Sequence, residues 1–375
     1  MFALSVSAIL LAPNVNAANK VADARGNAMG NTGVASSHYL TAPFYNPALG
    51  ANFKAHDDFA ILLPAIGASF DDVDENLTTI DDLQSFMDDF TSSQADIDQL
   101  EAYLNELDSN APLTVTAGLG FAFALPMNTV SVNFFSRAYV EVIASANISN
   151  ATDIEDRYDQ STVNMLAFGY AEFGFAFSKT FTLSGERVSF GITPKYQRMN
   201  TYAQAVSVDD FDLDDYDESE ITKDAFNLDL GTVWYKDNFQ VGLAVKDLFS
   251  QKVDVQPLSG FGSGIDTYKL DTQVTVALAY FSDYFIAAID ADLTKQTRFQ
   301  GVDDDTQFVR VGIEGNAWGW AQLRAGYEVD LQGTLDNTIT AGIGMSPFDV
   351  VKLDLAGSYA GENQLGVSAS LAFTF

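Results

Sequence analysis

Apolar and polar residues alternate along most of this chain with a period of two, the period that sends successive strand side chains to opposite faces. Between residues 113 and 125, Leu113, Val115, Ala117, Leu119, Phe121, Phe123 and Leu125 share one face. Thr114, Thr116, Gly118, Gly120, Ala122 and Ala124 share the other. The end of the chain repeats this, with Leu365, Val367, Ala369, Leu371, Phe373 and Phe375 against Gly366, Ser368, Ser370, Ala372 and Thr374. Residues 270–280 do so again, with Asp271, Gln273 and Thr275 on the polar face. Globular strands usually run about 5–6 residues. Segments this long suit tilted membrane strands, which need about 9–11.

Strands are expected near 58–70, 113–126, 129–147, 163–178, 187–203, 224–235, 238–250, 267–281, 284–294, 306–316, 320–331, 335–346, 349–360 and 364–375. That number is even, as in bacterial single-chain barrels. Long or acidic connections at 71–112, 148–162, 204–223, 251–266 and 295–305 alternate with mostly short ones. The short ones include residues 126–128, 236–237, 282–283, 317–319 and 346–348. Outer-membrane barrels have long extracellular loops and short periplasmic turns, which puts both termini in the periplasm. The expected fold is all-β membrane: a 14-stranded antiparallel outer-membrane β-barrel. Aromatics gather near strand ends, at Tyr280, Phe281, Tyr284, Phe285, Trp318, Trp320, Phe373 and Phe375. An interfacial girdle explains them, and hairpin packing is the simpler alternative.

One insertion departs from the strand period. Leu83, Phe86, Met87 and Phe90 follow helical spacing, and Ile97, Leu100, Tyr103, Leu104 and Leu107 suggest a second helix. Ser109, Asn110 and Pro112 end it. Residues 71–110 hold thirteen Asp or Glu and no Lys or Arg. This pair is expected in the first extracellular loop, over the barrel mouth, as a packed cap or a partner-binding surface.

Composition narrows the function. The chain has 375 residues, 47% hydrophobic and 13% aromatic, with 29 Phe and 3 Trp. No Cys is present, which excludes a disulfide scaffold, a Cys-ligated metal and thiol redox chemistry. Net charge is −32 with only 19 scattered Lys or Arg, so no nucleic-acid partner is expected. The apolar run from Phe2 to Ala12, followed by Val15, Asn16 and Ala17, reads as a signal peptide over 1–17. It lacks a basic stretch in front, so an upstream start and an atypical signal both fit.

Catalysis finds no foothold. His38 and His56 precede the first strand, and no metalloprotease, nucleophile-elbow or phosphate-loop motif stands in a usable context. No enzyme activity and no cofactor are expected. The acidic run at 209–218 offers oxygen ligands at Asp212, Asp214 and Asp217, but it lacks the glycine and terminal glutamate of a calcium loop. A solvated loop is the simpler reading, and Asp303, Asp304 and Asp305 read the same way.

The stretch before the first strand is the most informative. Arg25, Gly26, Asn27, Ala28, Met29, Gly30 and Asn31 lead to Ala42, Pro43, Phe44, Tyr45, Asn46, Pro47, Ala48 and Leu49. Small residues permit close packing, and Pro47 removes a donor while biasing Asn46 to extended backbone. A compact, turn-rich segment too polar to span lipid has the barrel lumen as a place to go.

These residues resemble the N-terminal hatch of FadL-type outer-membrane transporters. The order of hatch, the Asp57-Asp58-Phe59 strand, acidic helices and barrel is similar to the TraF-like branch of that group, named for plasmid transfer operons. The thioredoxin-like proteins that share the TraF name are excluded by the missing Cys. The resemblance implies a hatch over 18–57 in a barrel over 58–375, with the helical insertion at 71–112. It implies gating by Gly26, Met29, Gly30, Phe44, Tyr45, Asn46, Pro47 and Ala48. Relatives release ligand sideways at a kinked third strand, yet 129–147 has no Pro or Gly. Leu371, Phe373 and Phe375 would form the C-terminal signal for the barrel-assembly machinery.

Two functions follow. One is passive uptake of hydrophobic small molecules, which predicts an apolar cavity beside residues 25–49. The other is a structural or adaptor barrel for a conjugation or secretion machine, which predicts a filled lumen. A general porin fits less well, given the plug-like segment and the few Lys or Arg for a selectivity ring. Outer-membrane lipid and the assembly machinery are partners under any of these readings.

Overall fold

A computed structural model describes residues 23–211, 220–257, 265–302, 304–317, 319–347 and 350–375. The expected signal peptide, Asp212, Asp214, Asp217, Asp303 and Trp318 lie outside the described residues.

The strands are β1 (Ala60–Asp71), β2 (Leu113–Leu125), β3 (Ser131–Asn147), β4 (Thr162–Leu183), β5 (Glu186–Ser207), β6 (Ile221–Lys236), β7 (Phe239–Lys246) and β8 (Gln251–Asp254). They continue as β9 (Thr267–Leu270), β10 (Gln273–Phe281), β11 (Phe285–Asp292), β12 (Phe308–Ala317), β13 (Ala321–Asp330), β14 (Thr338–Met345), β15 (Val351–Gly361) and β16 (Gln364–Thr374). All except β8 and β9 form one closed antiparallel barrel of 14 strands, each beside its sequence neighbour, with β1 sealing against β16. Closure removes the edges that an open sheet exposes. The seam ends on Phe375, whose N–H donates to the Phe59 carbonyl over 2.9 Å while the two rings stack at 4.7 Å.

The alternation resolves as the sequence implies. On β16 the side chains of Gln364, Gly366, Ser368, Ser370, Ala372 and Thr374 turn inward, while Leu365 and Val367 are exposed. Leu278, Ile289, Ile313, Leu323, Ile339 and Leu355 are exposed in the same way around the wall. An apolar exterior over a small or polar interior is the membrane-barrel pattern. Trp234, Phe239, Tyr284, Phe285, Trp320 and Phe375 are exposed near the short-turn end, as a girdle requires.

Four features differ from the sequence expectation. The strand expected at 267–281 is two: β9 pairs with β8 in a separate hairpin, and only β10 joins the wall. The break falls at Asp271 and Thr272, where the Thr272 hydroxyl donates to the Asp247 carbonyl over 2.8 Å instead of extending a ladder. β4 and β5 are longer than expected and meet at Ser184 and Gly185, both with positive φ (52° and 87°). Two such residues make the tight hairpin whose twist matches the strands. The long connection expected at 148–162 holds a short helix, Ile154–Asp159, that the sequence reading did not anticipate. The helical pair, α1 (Asn76–Asp88) and α2 (Gln94–Ser109), forms as expected, with α2 opened by a Ser93–Asp96 capping box. It does not cover the mouth. Ile80, Leu83, Leu100, Leu104 and Leu107 pack on Leu113, Ala144, Val163 and Met165, which belong to the outward face of the wall. The apolar faces of both helices find apolar partners there.

The mouth is covered by other residues. Val253, Tyr268 and Leu270 of the β8–β9 hairpin, with Phe299, bury against Ile143, Phe168 and Met199 from the inward face. Tyr268 stacks on Phe168 with ring centroids 3.6 Å apart.

Candidate functional site

Residues 23–51 are mostly buried and fold into two short helices, Ala24–Ala28 and Ala42–Tyr45, and a 3-10 turn at Pro47–Ala51. Their polar backbone groups are answered by inward side chains of the wall. Asp290 on β11 accepts from the N–H groups of Gly33 (2.8 Å) and Val34 (2.9 Å). Thr340 on β14 accepts from Gly30 N–H (2.8 Å) and donates to the Ala28 carbonyl (3.0 Å). Lys246 on β7 donates to the Phe44 carbonyl over 2.9 Å, and Asn133 on β3 donates to that of Tyr39 over 2.6 Å. Arg25 reaches Glu314 on β12 at 2.8 Å, and Glu314 also holds Arg324 at 2.6 Å.

The residues expected to gate fall within this packing. Asn46 is fully buried; its amide nitrogen donates to the carbonyls of Val34 (2.9 Å) and Thr232 (3.2 Å), and its oxygen accepts from Ala48 N–H (3.0 Å). Pro47 opens the 3-10 turn, where a missing N–H costs nothing. Phe44 meets Phe135 edge-on at 6.1 Å, and Tyr45 donates to Asp23 over 3.1 Å. Gly26 leaves room for that tyrosine, since a Cβ there would lie 1.8 Å from its hydroxyl oxygen. Met29 packs with Val34, Ala244, Ala277 and Ala288, and Ala48 with Leu49 and Val233. Gly30 adopts a left-handed φ of 63°. Burial, then the charges of Lys352, Arg25 and Lys54, hold the His38 imidazole well below its ordinary range.

What sequence reading missed is the seat itself. Gly191, Gly231, Gly242, Gly312, Gly326 and Gly342 each meet the N-terminal segment where a side chain would stand. Gly191 pairs with Gly231 across β5 and β6, and Gly312 with Gly326 across β12 and β13. Glycine inside a long alternating strand was the available signal, because it marks close approach of another backbone.

Charge fills much of the remaining interior. Lys195 contacts Asp247 (2.8 Å), Asp229 (2.9 Å) and Glu172 (3.3 Å), all nearly fully buried. Arg137 pairs with the same Glu172. Arg310 joins Asp292 (3.0 Å) to Glu328 (2.7 Å) on the opposite side. Near the mouth, Arg298 pairs with Glu141 at 2.6 Å, and Tyr139 donates to the same carboxylate at 3.0 Å. β3 shows no kink: it pairs without a register shift to β2 and β4. The interruption is on β1, where one extra residue at Leu63–Pro64 shifts the register to both neighbours. Among the described residues no group of three or more His, Cys, Asp or Glu is arranged to hold a metal.

A closed barrel of this strand number, apolar outside and polar within, is the architecture of an outer-membrane β-barrel. A family model described as "F plasmid transfer operon, TraF, protein" matches residues 43–292, more than half of the chain, and the chain belongs to that family. Solved structures with the same fold include the Ralstonia pickettii toluene transporter TbuX, 13% identical, TM-score 0.59, covering 93% of this chain and 97% of that one. A deletion mutant of the P. putida monoaromatic hydrocarbon channel TodX is 13% identical, TM-score 0.56, over 94% and 98%. A Pseudomonas aeruginosa FadL homologue is 12% identical, TM-score 0.52, over 94% and 98%. No curated protein matches the chain.

Proposed function

We propose that this barrel is a passive channel for hydrophobic small molecules, with the described part of the expected hatch, residues 23–57, lying in its lumen. The observation that carries this is how the segment is held. Its polar contacts to the wall are hydrogen bonds with single side chains such as Asp290, Thr340, Asn133 and Lys246, over a seat of glycines and beside apolar contacts such as Phe44 on Phe135. Such contacts exchange for water one at a time, so the segment can rearrange while the barrel stays closed. The solved relatives named for toluene or monoaromatic hydrocarbons supply the substrate class by analogy of fold. Asn46, Pro47 and Ala48 would gate, because Asn46 ties the segment to itself, to β6 and to β7. The test is uptake of a radiolabelled aromatic hydrocarbon by cells with and without the barrel. Faster uptake with the wild type, altered by Asn46→Ala, is the expected result. Equal uptake with folded barrel at the surface would overturn the reading.

A second reading rests on the outer-wall helices. The exposed sides of α1 and α2 carry Asp81, Asp82, Asp98 and Glu101, and the family is named for a plasmid transfer operon. A conjugation or secretion component with a basic surface would dock there. Co-purification that is lost when these acids become Asn or Gln, with uptake unchanged, would favour it.

A further inference from the structure

Residues 23–53 contain a single Lys or Arg, Arg25, and its guanidinium meets the wall by charge. Nε donates to Glu314 Oε2 over 2.8 Å and Nη2 to Oε1 over 3.4 Å, the fork that suits a carboxylate. Nη1 donates to the Ser36 carbonyl over 2.9 Å, so the same side chain ties the first helix to the turn at 33–37.

Glu314 does not depend on Arg25. It stands directly opposite Arg324 in the β12–β13 ladder, and Arg324 Nε donates to its Oε2 over 2.6 Å. Arg324 Nη1 reaches Asp354 on β15, also over 2.6 Å. Gly344, opposite Asp354 on β14, leaves the room, since a Cβ there would lie 2.5 Å from Arg324 and 2.6 Å from Asp354. Other interior networks join wall to wall, as Lys195 does with Asp229 and Asp247, and Arg310 with Asp292 and Glu328. Here one partner belongs to the N-terminal segment. The pair is also partly open to water, with the Arg25 and Glu314 side chains 17% and 10% exposed.

This arrangement makes release easy on the wall side. When Arg25 leaves, Glu314 keeps Arg324, so no carboxylate is stranded in the lumen. Arg25 gains water, and Asp23, the cap of the same helix, leaves with it. An ion pair provided for at both ends and partly wetted is one that dissolved ions weaken.

We propose that Arg25 is an electrostatic latch on the N-terminal segment, with Glu314 as its keeper and Arg324 as a positioning residue that holds Glu314 paired and in place while the latch is open. Ionic strength then sets how firmly the segment is seated. The proposal goes beyond the channel reading: it shares with it the seat of the segment in the lumen, but not the solute.

The experiment is amide hydrogen exchange of the detergent-solubilised full-length barrel in sodium chloride at about 0.1 M and about 1 M, where the screening length falls from about 10 Å to about 3 Å. Exchange at residues 24–37 should rise about threefold with salt, the size of a partly exposed ion pair, while β4 and β5 stay unchanged. Arg25→Gln should start at the faster rate and lose the salt response. Arg25→Lys keeps the charge without the fork and should retain part of that response. Arg324→Gln decides the positioning role, because it should act in the opposite sense. With Arg324 gone, release of Arg25 strands Glu314, so exchange at 24–37 should slow and its salt response steepen. A merely structural arginine would give faster exchange there instead.

Heat-modifiable migration reports whether each variant is folded. Arg25→Gln leaves the wall network whole and carries the test if Arg324→Gln fails to fold. Salt-independent exchange at 24–37 in the wild type, or an unchanged salt response in Arg25→Gln, overturns the latch. Faster exchange at 24–37 in folded Arg324→Gln overturns the keeper arrangement. Uptake of radiolabelled toluene, measured beside these, separates the two readings. Uptake with no salt response in exchange leaves a channel without this latch, and a salt response without uptake leaves the latch without the channel.

Discussion

The carboxamide of Asn46 occupies the space that a side chain on Gly231 would need: a Cβ at Gly231 would lie 1.9 Å from Asn46 Oδ1. One residue from the N-terminal segment and one from β6, 185 positions apart, are thereby fitted to each other. The relationship links a polar hub to a bare stretch of wall, and it makes both ends testable.

Gly231→Val should displace Asn46 and loosen the segment without opening the barrel. Asn46→Ala should act in the same direction by leaving the Val34 and Thr232 carbonyls short of a donor, at about 1–3 kcal/mol. Hydrogen exchange at residues 33–48 is the measurement, with faster exchange expected there and unchanged exchange in β4 and β5.

Asp290→Ala should free the N–H groups of Gly33 and Val34 together. Their exchange is expected to accelerate by about tenfold or more, the equivalent of about 1.4 kcal/mol. Asp290→Asn keeps an acceptor oxygen and should lose less.

Acidification should unseat the segment through His38. Its imidazole is half-buried and lies 3.0 Å from Lys352 Nζ, so the charged form is disfavoured in the folded state. With a folded pKa below the unfolded one, the unfolded state binds more protons as pH falls. The stability contributed is therefore complete above the ordinary histidine value of about 6.5 and is lost progressively below it. Protection of residues 33–45 should fall between about pH 7 and about pH 5, and His38→Gln should flatten the profile.

The Arg298–Glu141 pair should latch the mouth. Arg298→Ala would leave a fully buried carboxylate without its cation, a loss of about 3–5 kcal/mol. Faster exchange at residues 267–270 and 298–300 is expected. The double change Arg298→Leu with Glu141→Leu should cost less than Arg298→Ala, because Glu141 is then not stranded and Asp304 alone loses its cation.

Phe375→Ala should slow closure of the seam, since it removes the ring that stacks on Phe59 while keeping the backbone bonds to that residue. The fraction of heat-modifiable barrel formed after a fixed time is the readout, and Leu371→Ala and Phe373→Ala are the companion changes.

The period of two in β2, β10 and β16 determined the wall by itself, because in a membrane barrel each strand must present apolar atoms to lipid at every second position. Loop lengths and turn residues likewise made the strand number legible. So did the helical spacing at Leu83 and Leu100. Where those helices rest was not legible, because their apolar faces suit a mouth and an outer wall equally, and only the folded barrel brings Leu113, Ala144, Val163 and Met165 together as their partner. The same holds for Tyr268, which continues an alternating run into β10 but pairs with Val253 in a hairpin of its own. Asn46 could be singled out from its neighbours Phe44, Tyr45 and Pro47. Gly231 could not, since its importance comes from a contact between residues far apart in sequence. Closure of the barrel brings them together, and that closure is a property of all fourteen strands at once.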